Sequence, residues 1–155
     1  MQESISCIPF LSSASPFGVQ AAFFDFYDKR QTQMTRPILE GFLNQLHDNT
    51  PNLLASTIVS VDGIALAWLL SRHINPDCVG GMSAALLSLG SRAAKELECG
   101  RLKQVVVEGD DGFTVLVQAG EQTVLVTTAS AQAKLGLILV NTRDTVKQIR
   151  QLGQY

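Results

Sequence analysis

The sequence predicts an α/β fold of the α+β kind: a three-layer α/β/α sandwich around a five-stranded antiparallel sheet, in the order α-β-β-α-β-β-β-α. Three observations predict it. First, Asp62-Gly63 and Asp111-Gly112 each lie between short β-branched runs, and an Asp-Gly pair so placed favours a hairpin with a two-residue type I′ turn. Second, Val105-Val106-Val107, Val115-Leu116-Val117 and Val124-Leu125-Val126 are apolar at adjacent positions, so both faces of their sheet need cover. Third, three segments carry apolar residues at helical spacing and can supply that cover.

Residues 1–31 read as an N-terminal extension and residues 32–155 as one domain. The extension is rich in Ser and Pro up to Pro16, and then Phe23-Phe24-Asp25-Phe26-Tyr27 places four aromatics in five positions. Aromatics at that density seldom stay in water, so Phe23, Phe24 and Phe26 are expected to lie against the domain or a partner.

The first helix is expected to begin near Thr35 or Arg36, with Pro37 in its first turn. Ile38, Leu39, Phe42 and Leu46 form its buried stripe, and Asn49-Thr50-Pro51 ends it. A hairpin follows, Ser56 to Val61 and Ile64 to Leu70, in which Leu66, Trp68 and Leu70 share one side by period two and read as core. Asn75-Pro76 then opens a second helix. From Cys78 to Ser91 it has no charged residue, and Gly80, Gly81, Ala84, Ala85, Ser88, Gly90 and Ser91 make much of its surface shallow. Met82, Ala85, Leu86, Leu89, Ala93 and Leu97 are read as the stripe that covers the sheet. Ala84, Leu87, Ser88, Ser91 and Ala94 then form a second uncharged face that one chain leaves uncovered.

Three more strands follow, Val105 to Glu108, Phe113 to Gln118 and Gln122 to Thr127. The last helix is expected after Ser130, running to about Leu152, with Leu135, Ile138, Leu139, Val146 and Ile149 inward and Gly153 as its stop. The second helix covers one face of the sheet in this reading, and the first and third cover the other.

Composition narrows the function. With 155 residues, 46% hydrophobic and 17% charged, the chain can bury a real core, and its net charge is -2. Residues 76–155 hold eight basic and eight acidic side chains, so nucleic acid and anionic lipid are not expected partners. Cys7, Cys78 and Cys99 are too few and too scattered for a disulfide framework or a zinc site. No apolar run reaches the length of a membrane span and no signal peptide is evident, so a cytoplasmic location is expected.

Few residues suggest chemistry. There is no phosphate-cradling Gly-x-x-x-x-Gly-Lys-Ser/Thr, so the chain is not itself a nucleotide hydrolase of that type. Gly81-Met82-Ser83-Ala84-Ala85 lacks the closing Gly of a nucleophile elbow, and His47 and His73 both precede Ser83, so Ser83 is read as an outward-facing helix residue. His47 is read as a C-terminal-turn residue favoured by the helix dipole. His73 and Cys78 are read as loop and core residues, and Arg92 as a solvated partner of Glu96 rather than an arginine finger. No catalytic residue, cofactor or metal is expected.

The ordered elements and their wording resemble the roadblock/dynein light chain family, and within it the bacterial MglB-like regulators of Ras-like small GTPases. The residues that carry the resemblance are Val59-Ser60-Val61-Asp62-Gly63, Ala84-Ala85-Leu86-Leu87-Ser88-Leu89, Leu102-Lys103-Gln104-Val105-Val106-Val107-Glu108 and Ala133-Lys134-Leu135-Gly136-Leu137-Ile138. The resemblance covers roughly residues 35–152. It implies a homodimer in which the third strand pairs with its symmetry mate and the second helices lie side by side. That assigns Val105, Val107, Ala84, Leu87, Ser88 and Ser91 to a dimer interface, and Ser88, Ser91, Arg92 and Lys95 to the rim that meets a partner. The implied function is non-enzymatic: binding, as regulator or effector, of a Ras-like small GTPase on the paired helices. Two other readings stand beside it. One is a homodimeric scaffold that tethers proteins without altering GTP hydrolysis. The other is a small-ligand sensor of the profilin- or PAS-like kind, against which the filled small positions of the second helix argue.

Overall fold

The computed structural model describes residues 35–152. The expectations for residues 1–31, for the aromatic run Phe23 to Tyr27 and for Gly153 lie outside the described residues.

The first helix, α1, covers residues 35–49. It is followed by β1 (Leu53–Ser60), β2 (Ala65–Leu69), α2 (Pro76–Glu96), β3 (Gln104–Gly109), β4 (Gly112–Gln118), β5 (Thr123–Ser130) and α3 (Leu135–Gln151). The five strands form one sheet, antiparallel throughout, in the order β2-β1-β5-β4-β3. The expected α-β-β-α-β-β-β-α sandwich is the observed fold.

Two apolar layers hold it together. Leu39, Leu43 and Leu46 of α1 and Ile138, Val146 and Ile149 of α3 meet Ile58, Val115, Val117 and Leu125 on one face of the sheet. On the other face Val59, Leu116, Val124 and Val126 pack with Val79, Leu86 and Leu87 of α2 and with Val105. Alternate residues of the same strands feed the two layers, which is why the strands read as continuous apolar runs. Asn141 of α3 donates to the Asn49 carbonyl at 3.0 Å and to Thr50 Oγ1 at 2.9 Å, so it satisfies an orphan acceptor at the end of α1.

Both hairpins differ in register from expectation. In the first, the Gly63 amide donates to the Ser60 carbonyl at 2.9 Å and the Ser60 amide to the Ile64 carbonyl at 2.8 Å, closing a three-residue loop, Val61-Asp62-Gly63. Gly63 has φ 91° while Asp62 is not left-handed, so the loop is a turn ended by a left-handed glycine rather than a type I′ turn. In the second, Gly109 pairs with Gly112 and the loop is Asp110-Asp111. Gly112 belongs to β4, where a Cβ would overlap the Ala129 carbonyl of β5.

Helix edges also shifted. Asn75 caps α2 as expected, its Oδ1 accepting the Asp77 amide at 2.9 Å, with Pro76 in the first turn. The third helix starts at Leu135 rather than after Ser130, because Ser130 still pairs with Gly112 in the sheet and Ala131 donates to the Asp111 carbonyl at 2.9 Å. Ile38 and Leu135, expected inside, are exposed; Leu43, absent from the expected stripe, is fully buried.

Candidate functional site

The inward face of α2 is rotated from the one expected, and of the expected stripe Leu86 alone still packs on the sheet. Val79, Gly80, Ser83, Leu86, Leu87, Gly90 and Ala94 turn toward the sheet, whereas Met82 and Leu89 are 60% and 67% exposed and Ala85, Ala93 and Leu97 also face solvent. The cause is backbone approach. A Cβ on Gly80 would overlap the Gly63 carbonyl, and one on Gly90 would stand 3.1 Å from a Val105 methyl. The helix therefore turns Gly80 and Gly90, together with Leu86 and Leu87, inward and leaves Met82 and Leu89 outside. The signal was present in the sequence, since Gly80, Ser83, Leu87, Gly90 and Ala94 recur at helical spacing, but choosing the bulkiest stripe gave the wrong phase.

The residues assigned to the dimer interface and the partner rim separate into groups. Ala84, Leu87, Ser88 and Ser91 come together along one flank of α2, where with Val61, Leu102, Lys103, Gln118 and Val124 they line an open cleft of about 220 Å³. Leu87 and Val105 are half-buried in the layer beneath α2, while Val107 is 44% exposed. Arg92 and Lys95 are exposed, and Arg92 forms no ion pair with Glu96; the ion pairs described are Arg36–Glu40 at 2.7 Å and Lys147–Asp144 at 2.8 Å.

Other single residues are placed differently from their reading. Ser83 faces inward, 3% exposed, and its hydroxyl donates to the Val79 carbonyl at 2.7 Å. Cys78 is exposed rather than in the core, and Cys99 is exposed too. His47 is half-buried with Nε2 3.0 Å from the Ser56 hydroxyl. Burial holds its imidazole below the usual value, outweighing the opposite pull of Asp48. Trp68 is half-buried at the β2 edge, where the Arg36 guanidinium sits 4.1 Å from its ring centroid. Among the described residues no set of His, Cys, Asp and Glu is gathered to hold a metal ion, and no helix is long and apolar enough to cross a membrane.

The sheet edge completes the surface. Among the described residues β3 pairs with β4 alone, and Val106 and Val107 on it are 37% and 44% exposed. Its two ends differ in charge. Arg101 and Lys103 precede it, and Arg150 lines a cleft of about 360 Å³ with them, its guanidinium fixed by the Gln118 and Ala119 carbonyls at 2.7 and 3.2 Å. From α3, Arg143 donates to Gln104 Oε1 at 2.8 Å. Glu108, Asp110 and Asp111 crowd the other end. The sequence reading missed this polarity because charges were counted along the chain, where they cancel.

An apolar helix flank and a valine edge suit association, and comparison with known proteins agrees on the fold that bears them. The Roadblock/LC7 domain profile matches residues 40–129. The chain is 31% identical over 105 residues to the uncharacterized protein MJ1340 of Methanocaldococcus jannaschii, an alignment covering 68% of this chain and 91% of that one. A Roadblock/LC7 domain from Streptomyces avermitilis superimposes with TM-score 0.68 at 24% identity, covering 73% of this chain and 95% of that one. Myxococcus xanthus MglB does so with TM-score 0.68 at 15% identity, covering 74% and 93%. With the profile spanning more than half of its length, the chain belongs to the Roadblock/LC7 domain family.

Proposed function

We propose that this chain is a non-enzymatic, cytoplasmic homodimer that binds a Ras-like small GTPase, as regulator or effector, on a platform made by two copies of α2. The observation that carries the proposal is the outward flank of α2, where Met82, Ala85 and Leu89 are exposed within the run from Cys78 to Ser91 that holds no charged residue. Contiguous exposed apolar surface of this kind marks an interaction site. The open β3 edge supports the homodimer: an unpaired strand rich in valine invites pairing, and a two-fold pairing closes it. Membership of the Roadblock/LC7 family and the MglB-like fold support the choice of partner. In this reading Ala84, Leu87, Ser88 and Ser91 flank the helix pair, Val105 and Val107 lie at the sheet seam, and Arg92 and Lys95 stand at the rim.

The test is capture from native extract with the tagged protein, in parallel with GDP and a non-hydrolysable GTP analogue, and with bound proteins identified by mass. A small GTPase held preferentially with the GTP analogue is the expected result. Capture of the same proteins irrespective of nucleotide, with GTP hydrolysis unaltered by the protein, would replace this reading with the scaffold.

A further inference from the structure

An antiparallel strand pair made by a two-fold axis has restricted registers. Residues directly opposite each other lie on the same face of the sheet, so the axis must pass beside a residue that faces its own symmetry mate. On β3 the faces are known. Val105 packs in the layer under α2, and Gln104 is held by Arg143 of α3, so odd and even positions face opposite sides. Three centres are then worth comparing, at Val105, Val106 and Val107.

Centring on Val105 sets Gln104 against Val106 and Lys103 against Val107. Centring on Val107 sets Val106 against Glu108 and Val105 against Gly109. Centring on Val106 sets Val105 against Val107 twice and Val106 against itself, so no valine faces a polar residue or a glycine. The same register puts Gln104 opposite Glu108, and Gln104 already holds the Arg143 guanidinium 2.8 Å from its Oε1. It also carries Arg101 and Lys103 of each copy up to the Asp110-Asp111 tip of the other. None of Arg101, Lys103, Arg143, Glu108, Asp110 and Asp111 has an ion-pair partner among the described residues. Side-chain packing and charge thus select one register independently.

Resting on the homodimer reading above, we propose that two copies join along β3 with Val106 opposite Val106, and that Arg143 of each copy clamps Glu108 of the other across the seam. The seam is a β-ribbon with an apolar centre and a charge pair at each end, both ends being formed at once by symmetry. Cross-strand pairs of opposite charge are favourable and like charges directly opposite are not, so the polarity of β3 admits an antiparallel mate and opposes slipped registers.

The experiment uses the full chain. Sedimentation equilibrium establishes whether it is dimeric. Val106→Cys and Val105→Cys variants are then oxidised, and interchain disulfides are located by peptide mass spectrometry, because Cys7, Cys78 and Cys99 are also present. Opposite residues have Cα atoms about 4.5 to 5.5 Å apart, inside the span a disulfide bridges, whereas Val105 and its mate would be diagonal neighbours beyond it. The expected result is a 106–106 crosslink and no 105–105 crosslink. In parallel, Glu108→Arg and Arg143→Glu are each expected to weaken the dimer about tenfold or more, and the double exchange to recover most of the loss. A dimer that crosslinks through 105, or that the double exchange does not rescue, overturns this register and leaves the homodimer standing. A monomer at tens of micromolar overturns both.

Discussion

At Gly80 the α2 backbone comes down on the turn of the first hairpin, and a single methyl there would overlap the Gly63 carbonyl. Gly63 has φ 91° and its own Cβ would stand 3.2 Å from the Gly80 carbonyl oxygen, so neither side of the contact has room to yield. Gly80→Ala should therefore lower stability by about 2 kcal/mol, near the middle of the range for overpacking. The cost would appear as a lower urea midpoint with an unchanged slope, and an unaltered midpoint would show that α2 slides freely on the hairpin. His47 makes a prediction about pH. Its folded value lies below the unfolded one, so as pH falls the unfolded chain takes up the proton first. The contribution of the neutral imidazole is complete above about pH 6.5 and is lost as pH drops through the lower folded value. Melting temperature should fall between about pH 7.5 and pH 5.5, and fall less in His47→Gln, which cannot titrate. Thermal melts of the two proteins at both pH values would check it.

Elements were legible in the sequence where one local rule decided them, and illegible where tertiary contact did. Asn75-Pro76 announced the start of α2 because a cap is a matter of a few neighbouring atoms. Removing it by Asn75→Ala should cost about 1 kcal/mol, read from the chemical denaturation midpoint, since the Asp77 amide loses its acceptor. Asp-Gly, by contrast, named the hairpins but not their loops. At the first, Gly63 was needed as the left-handed end of a three-residue loop; at the second, Gly112 was needed because β5 passes close by. The phase of α2 failed for the same reason: its uncharged length offers two apolar stripes, and the choice between them depends on where a neighbouring backbone intrudes. The valine runs, whose both-sided burial needs nothing but their own pattern, gave the layer arrangement correctly.

For the whole molecule, what is left uncovered matters most. The α2 flank and the β3 edge belong to different elements, yet both are apolar and unpartnered among the described residues. Leu89→Asp should leave the melting temperature within a few degrees of the parent, because Leu89 is 67% exposed. It should nonetheless weaken dimerisation or GTPase capture about tenfold or more, because it introduces a charge into surface that has to be desolvated. Sedimentation and capture assays on the same variant would separate the two losses; retention of both activities would remove α2 from the interface. The existence of this surface was readable from the uncharged run Cys78 to Ser91, but its composition was not, since which residues face outward depends on the seating of two glycines. The sheet order carries a further consequence, for the chain during its synthesis. β1 lies between β2 and β5, so its inner neighbour is supplied by residues Thr123–Ser130, some seventy positions downstream by the pairing of Ile58 with Leu125. While a ribosome is still translating the intervening stretch, the first hairpin has one flank without a mate. Contacts so distant in sequence make folding slow and leave strand edges exposed to other nascent chains. The decisive moment in the life of this fold therefore comes late, when β5 emerges and joins the two halves of the sheet.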